Sequence, residues 1–378
     1  MKIEVSKQDL AQAIKFVSAT AKAGDDLSGH YLFRLAPDST DMVEVLTSNG
    51  KAASVARVNC KYTPTEGGAT AFMFSVSRMD TWLSACPDAA LALEHANGVT
   101  VAYSPLGEQK FESFDHSQFP LFDGIRAESK VTAKVQADRL RAALKYARPF
   151  VYADETKKPN ICQIAFRDGI LHATDTATAL AIKMPGFEEA NFSLSSKGIA
   201  NLLTFLSSCG DGEIEVREHD RMTLFCSGDT AMFGEAPMHH QFPKLALGLD
   251  QPNQKVWKLD RKEVKLITTF LLSAAPVNNE FLIFSDSNDP AQVKMGMAVA
   301  AGGTKHIPLA CAEKVTNVEV ALPEKGFKVR HPNLQKVLDA SEADTIVVGV
   351  NAKGTGGWLR FDEEINGDKY YAIVQWSV

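Results

Sequence analysis

Metal binding, nucleophilic attack and phosphate gripping each need particular side chains at particular spacings, and this sequence supplies few of them. Its six cysteines, Cys60, Cys86, Cys162, Cys209, Cys226 and Cys311, form no C-x-x-C pair, so neither a zinc knuckle nor a dithiol redox centre is written here. His239 and His240 are adjacent, point in different directions in any regular backbone, and have no H-x-x-x-H partner. The phosphate loops G-x-x-x-x-G-K-[ST] and G-x-G-x-x-G are absent, as is the G-x-S-x-G elbow; Gly354-Thr355-Gly356-Gly357 reads as a hairpin turn. The expectation is a protein with no metal, no cofactor and no catalysis of its own. A Cys-His pair that meets only in the fold is the one nucleophilic arrangement the spacing leaves open.

Charge is more informative. Lys and Arg number 40 against 46 Asp and Glu, a net charge of −6, which argues against a uniformly basic nucleic-acid binder. The positive residues are nevertheless segregated. Lys7, Lys15 and Lys22 stand against Asp9 in one helical stretch. Arg139, Arg141, Lys145 and Arg148 stand against Asp138 in a second, and Arg261, Lys262 and Lys265 against Asp260 and Glu263 in a third. A basic concave surface holds a phosphate backbone without reading bases, and an acidic remainder keeps nucleic acid off the other faces. Ordinary solvated helix faces are the alternative, and the stretch 331–344, with Lys336 against Asp339, Glu342 and Asp344, favours it.

The elements that carry these charges repeat. Leu10, Ala13, Ile14 and Val17 mark one face of a helix. The same template returns at Leu140, Ala143, Leu144 and Ala147, and again at Val264, Ile267, Thr268 and Leu271. A second helix follows each: Met79, Trp82, Leu83 and Cys86; Ile199, Leu202, Leu203 and Leu206; Leu334, Val337, Leu338 and Ser341. Ser75, Ser195 and the His331-Pro332-Asn333 start are expected to cap these second helices. Both series recur at about one third of the 378 residues. Strand patterns fill the gaps, with hairpin turns at Asn49-Gly50, Asn97-Gly98 and Asp168-Gly169. Phe119-Pro120 and Phe242-Pro243 close the first two thirds. The predicted fold class is α+β: three tandem copies of a unit with two helices on an antiparallel sheet, spanning 1–125, 126–250 and 251–378, with sheets pairing edge to edge across the boundaries.

Composition fits a globular chain, with 45% hydrophobic and 23% charged residues. No apolar run approaches the roughly 18–20 residues of a membrane span, and the opening MKIEVSKQDL contains no signal-like apolar core. Scattered cysteines suit a reducing compartment, so a cytoplasmic protein without a membrane partner is expected.

Taken in order, these features resemble one family. Met1-Lys2-Ile3 opens a strand into the first helix, and LTSNGKAASVARV at 46–58 is similar to a first-domain strand pair. The two Phe-Pro ends, and Ala173-Thr174-Asp175 with Leu180-Ala181-Ile182, match further segments. The chain resembles a bacterial-type β sliding clamp, the processivity subunit of replicative DNA polymerase III, or a phage or plasmid relative of it. The resemblance spans the whole chain and rests on order and spacing. It implies a ring-forming, head-to-tail homodimer that encircles duplex DNA independently of sequence and tethers the replicative DNA polymerase, with a clamp loader as a further partner. A repeat scaffold that binds peptides or proteins through its inter-domain groove, without forming a ring, is the alternative.

The resemblance also implies positions. Duplex contact would fall to Lys22, Arg139, Arg141, Lys145, Arg148, Lys157 and Lys158. A partner-peptide groove would be walled by Ile161, Thr174, Leu180, Pro243, Leu245, Leu247, Val374 and Trp376. The dimer would close through Phe111 and Phe114 on one side and Leu271 and Leu272 on the other, so that a charge at Leu272 gives monomers. Two departures from the family pattern touch the groove: Thr176-Ala177-Thr178-Ala179 stands where the family has Gly-His-Arg, and the chain finishes Val374-Gln375-Trp376-Ser377-Val378.

Overall fold

The computed structural model describes residues 1–22, 27–65, 69–112, 114, 116–117, 119, 124–219, 222–235, 241–245, 249, 252–276, 280–299, 302–316, 326–353 and 356–377. In chain order the first third contains β1 (Lys2–Ser6), α1 (Lys7–Val17), β2 (His30–Leu35), β3 (Met42–Ser48), β4 (Ala52–Asn59), β5 (Lys61–Thr63), β6 (Ala71–Ser75), α2 (Val76–Ala85), β7 (Ala90–Ala96), β8 (Val99–Ser104) and β9 (Gly107–Glu112). After a single turn, α3 (Ile125–Glu128), the series starts again. It runs β10 (Lys130–Gln136), α4 (Ala137–Ala147), β11 (Gln163–Arg167), β12 (Ile170–Thr174), β13 (Thr178–Lys183), β14 (Phe192–Ser195), α5 (Ser196–Ser208), β15 (Glu213–His219), β16 (Met222–Ser227) and β17 (Ala231–Glu235). A third round gives β18 (Lys255–Asp260), α6 (Arg261–Ser273), β19 (Phe281–Asp286), β20 (Gln292–Ala298), β21 (Thr304–Thr316), β22 (Phe327–Arg330), α7 (His331–Ala340), β23 (Thr345–Lys353), β24 (Gly356–Ile365) and β25 (Asp368–Ser377).

Helix positions follow the apolar spacing. Leu10, Ala13, Ile14 and Val17 are the buried residues of α1, and Val264, Ile267, Thr268 and Leu271 those of α6. Ser6 caps α1 by accepting from the Asp9 amide at 3.0 Å, and Asp260 caps α6 by accepting from the Glu263 amide at 2.7 Å. The second helices start differently. Ser75 makes no side-chain cap to α2, and α7 begins after Arg330 with Pro332 in its first turn, where the missing N–H costs nothing. Asn97-Gly98 and Asp168-Gly169 both take positive φ at both residues, as two-residue hairpin turns require.

Contacts group the chain into two units. The first comprises Met1–Ala142 and Lys197–Met238, the second Ala143–Ser196 and His239–Val378. The first unit holds a sheet in the order β5-β1-β7-β8-β9 and a longer one in the order β10-β15-β16-β17-β4-β3-β2-β6. The second holds β14-β11-β12-β13-β25-β22-β19-β20-β21-β18-β23-β24, in which β24 also pairs with β25 and closes the end of the sheet on itself. Each unit thus contains one join between thirds of the chain: β17 pairs with β4 in the first, and β25 with β13 in the second.

A cross-strand aromatic pair anchors every repeat. Phe33 faces Phe72, Phe166 faces Phe192 and Phe284 faces Phe327 at corresponding points of the β2–β6, β11–β14 and β19–β22 ladders. Their rings are stacked with centroids 5.1, 4.5 and 5.9 Å apart. Such pairs contribute roughly 0.5–1.5 kcal/mol each beyond the area they bury. Around them lie Tyr31 and Phe74 in the first unit and Trp257 in the second, all shielded from solvent.

Candidate functional site

The second unit contains a cavity of about 1080 Å³ assembled from separate elements. Ile161 comes from a single turn after α4, Thr174 and Thr176 to Ala179 from the β12–β13 hairpin, and Trp358 from the start of β24. Ile373, Gln375 and Trp376 come from β25, and Pro243, Lys244 and Leu245 from the stretch after Phe242. Phe242 is buried and packs with Ile161 and Ala165, with Tyr152 and Leu245 alongside, which seats the Pro243–Leu245 stretch at the rim.

The hairpin at the mouth is heavily braced. Asp175 Oδ1 accepts from the Ala177 amide (3.0 Å), the Thr178 amide (2.7 Å) and the Thr178 hydroxyl (2.8 Å). Asp175 Oδ2 pairs with Lys336 of α7. Burial alone would push this carboxyl up, but the Lys336 ammonium and the converging donors hold it below the usual carboxylate range. The brace holds Thr176 at φ +83°, an unusual conformation for a β-branched residue. On the far wall Trp376 pairs with both Val329 and Gly357. Its indole lies against the Phe327 ring (4.9 Å) and directly over Gly357, where a Cβ would collide with it.

Of the expected groove residues, Ile161, Thr174, Pro243, Leu245 and Trp376 line this cavity. Leu180 and Val374 are fully enclosed in the β13–β25 join and do not, and Leu247 lies outside the described residues. Sequence reading missed Lys353, Trp358, Ile373 and Gln375, and assigned Lys158 elsewhere although it lines the cavity too. The only signal for Trp358 was its place just after a glycine-rich hairpin, which read as a turn.

The basic residues occupy the polar side of α4 and the segment after it. With Leu140, Ala143, Leu144 and Ala147 buried, Arg141, Lys145 and Arg148 fall on the opposite stripe. Arg139 and Arg141 are half-buried, while Lys22, Lys145, Arg148, Lys157 and Lys158 are exposed. Lys157 pairs with Asp154 at 3.1 Å.

Burial pushes the thiols of Cys60, Cys209 and Cys226 up to about 11, which keeps them protonated at neutral pH. No group of three His, Cys, Asp or Glu side chains that could hold a metal ion occurs among the described residues. Nor is any helix among them long and apolar enough to cross a membrane.

Besides the outer strands β5, β6, β10 and β14, two strand edges have no partner among the described residues. β9 pairs only with β8, and the Thr304–Ala310 part of β21 pairs only with β20. A cavity of about 510 Å³ lies between α2 and β9, lined by Thr81, Trp82, Ala85, Leu106, Gln109 and Phe111 among others. Phe111 packs on Phe74 (4.4 Å), and Phe114 is exposed with its ring 4.1 Å from His30. On α6, Leu271 is buried and Leu272 half-buried, whereas Leu266 is 70% and Phe270 50% exposed. At the β17–β4 join the flanking helices also touch: Phe16 of α1 meets Phe205 of α5 at 5.8 Å, and Gln12 donates to the Ser208 carbonyl at 3.0 Å.

No protein-family model matches this sequence, and no curated protein matches it. Solved structures do. The DNA polymerase III β subunit of Thermotoga maritima superposes with a TM-score of 0.77 at 16% identity, covering 100% of this chain and 99% of that one. The Bacillus subtilis DNA polymerase sliding clamp gives 0.79 at 13%, with the same coverage. The Pseudomonas aeruginosa β subunit gives 0.80 at 12%, covering both chains completely. The chain therefore has, over its whole length, the fold of the DNA polymerase III β sliding clamps.

Proposed function

We propose that this protein is a DNA sliding clamp: an accessory subunit without catalysis of its own that closes head to tail with a second copy around duplex DNA. It tethers a replicative DNA polymerase in the cytoplasm. Thirds of the chain bounded at 1–125, 126–250 and 251–378 are its repeating units, and a clamp loader opens it. Duplex contact falls to the basic residues of α4 and its neighbours, from Lys22 and Arg139 to Lys158. The cavity beside Trp376 takes partner segments.

One observation carries ring closure: the two joins inside the chain use the same register. Ala231 of β17 faces Ala56 of β4, and Tyr370 of β25 faces Ile182 of β13. These positions correspond within their hairpins. Ala231 pairs back to Ser227 and Tyr370 to Glu363, as Gly107 of β9 does to Ser104. Ala56 pairs to Val45 and Ile182 to Leu171, as Ile307 of β21 does to Met295. Val45, Leu171 and Met295 in turn face the repeated Phe33, Phe166 and Phe284. β9 and the Thr304–Ala310 part of β21 stand in the places of β17 and β4 and of β25 and β13, and make the third pair of the series. By the same register Gly107 of one copy faces Ile307 of another, and Gln109 faces Lys305.

The helix contact carries over as well. Phe270 and Leu266 occupy in α6 the positions of Phe16 and Gln12 in α1, and Ala85 occupies in α2 the position of Phe205 in α5. Exposed Phe270 then enters the hollow beside Ala85 of the second copy. The interface leans on Leu266 and Phe270, with Phe111 and Leu272 at its margin, while buried Leu271 supports it from within.

Engineered cysteines test the register. With Gln109→Cys and Lys305→Cys in one chain, mild oxidation is expected to give a covalent dimer that stays on a nicked circular plasmid and slides off once the plasmid is linearised. The pair Gln109→Cys with His306→Cys, whose side chains point to opposite faces, is expected to stay uncrosslinked. Equal crosslinking of both pairs, or of neither, refutes the register. A stable monomer would favour the open scaffold.

A further inference from the structure

The cavity beside Trp376 has a charge pattern that its shape does not require. Lys158, Lys244 and Lys353 line it from three separate elements, and all three are exposed. Lys158 Nζ lies 3.5 Å from the Thr176 hydroxyl and 5.4 Å from the centre of the Tyr152 ring, so its charge is held over the mouth. None of the three forms an ion pair with a described residue, and no carboxylate lines the cavity. The neighbouring carboxylate, Asp175, is already engaged by Lys336 and by its own hairpin.

Several cations elsewhere in the protein have carboxylate partners. Arg34 and Arg57 share Glu44, Lys134 pairs with Glu215, and Lys255 and Lys314 share Asp286. Here three ammonium groups border one apolar hollow without a carboxylate partner among the described residues. Like charges converging without counter-ions repel one another, and an incoming anion relieves the repulsion. The apolar walls, Ile161, Leu245, Trp358, Ile373 and Trp376, call for aliphatic or aromatic anchors.

We propose that this groove is built for an acidic partner segment: an extended stretch of a second protein in which one or two apolar anchors are flanked by Asp or Glu side chains. The proposal rests on the reading of the cavity as a partner site and adds its charge preference. The anchors fill the space between Trp358, Trp376 and Leu245, and the flanking carboxylates reach Lys158, Lys244 and Lys353 at the rim. Because the ammonium groups are exposed, this contribution is screened by salt while the anchor contribution is not.

The test uses the full chain and two fluorescein-labelled octapeptides. One carries leucine and phenylalanine anchors flanked by Asp and Glu; the other is its twin with Asn and Gln in their place. Fluorescence anisotropy in about 50 mM salt is expected to give the acidic peptide a Kd at least tenfold lower, with the gap closing as salt approaches about 0.5 M. The triple variant Lys158→Ala, Lys244→Ala, Lys353→Ala changes only exposed side chains. It is expected to bind both peptides like the wild type binds the neutral one. Equal binding of both peptides by the wild type overturns the charge preference and leaves the partner groove standing. Binding of neither overturns the groove reading and the proposal with it. Displacement of the acidic peptide by a single-stranded oligonucleotide that persists in Lys158→Ala, the one of the three also read as contacting duplex, and is lost in the double variant Lys244→Ala, Lys353→Ala would assign the groove lysines to nucleic acid and overturn the proposal as well.

Discussion

The sharpest consequence of ring closure concerns Phe270. Its side chain is half exposed in the single chain, while its counterpart Phe16 is partly covered by Phe205. If the second copy supplies the missing cover, burying the remaining half contributes about 1 kcal/mol, half of the roughly 1.5–3 kcal/mol for a whole aromatic side chain. Phe270→Lys removes that and sets an ammonium beside Lys305, whose Nζ lies 4.1 Å from the Phe270 ring centre. Two like charges in a partly desolvated contact add on the order of 2 kcal/mol of penalty. Each contact then weakens by about 3 kcal/mol, more than a hundredfold. A closed pair has two such contacts, and both must break before the copies separate. The dimer Kd is therefore expected to rise by about four orders of magnitude.

Sedimentation velocity or mass photometry at about 1 μM is the assay: the wild type runs as a dimer and Phe270→Lys as a monomer with an unchanged circular dichroism spectrum. Leu266→Lys is expected to act in the same direction. Leu271→Lys behaves differently, because Leu271 is buried within its own unit and the substitution unfolds the chain rather than parting two copies. A Phe270→Lys protein that remains dimeric at low micromolar concentration refutes the placement of α6 at the interface.

Two further substitutions address the groove. Lys336→Met strips the partner from partly buried Asp175 and should cost about 2 kcal/mol at pH 7. Since the folded Asp175 carboxyl lies below its unfolded value of about 3.9, that stability is present above this value and is lost as pH falls through the lowered folded one. Urea denaturation of wild type and variant should therefore converge as the pH falls below about 3.9, and a pH-independent gap would refute the assignment. Gly357→Ala drives a Cβ into the Asn351 carbonyl and the Trp376 ring. It should cost about 2–3 kcal/mol and shift the Trp376 fluorescence, and an unchanged denaturation midpoint would contradict the seat described for that indole.

Local rules made the helices and turns legible from sequence. The buried stripes of α1 and α6 are the ones their apolar spacing marks, and the Asn-Gly and Asp-Gly turns adopt the φ values those residues tolerate. The first-helix caps Ser6 and Asp260 were not among the expected caps; a lone Ser before a helical stretch is a weak signal without a Glu or Gln three residues on to complete a capping box, as at Ser6. The joins β17–β4 and β25–β13 are not legible in detail, since backbone pairing leaves no side-chain signature beyond alternation. The same limit applies at the groove. Leu180 and Trp376 are both apolar residues of strands, and only the three-dimensional register decides that one is enclosed and the other faces a cavity. Leu272 entered the interface set through the family resemblance; it is half-buried, and the exposed apolar side chains of α6 are Phe270 and Leu266, two and six residues earlier.

A repeat with an internal join at two of its three boundaries cannot satisfy its last edges alone. Each repeat offers one edge of the β4 kind and one of the β17 kind, so a chain of three always ends with one of each unpaired. Bare edges flanked by exposed apolar side chains such as Leu106, Leu266 and Phe270 invite association. Because the two edges differ, a contact between them would be head to tail, and such a contact either closes on itself or propagates into a filament. The two outcomes separate by concentration. A closed pair keeps one mass from nanomolar to tens of micromolar concentration, whereas a propagating contact gives a mass that climbs with concentration. Constancy of mass, with loss of the dimer on Phe270→Lys, is the result that a closed ring requires and an open array cannot produce.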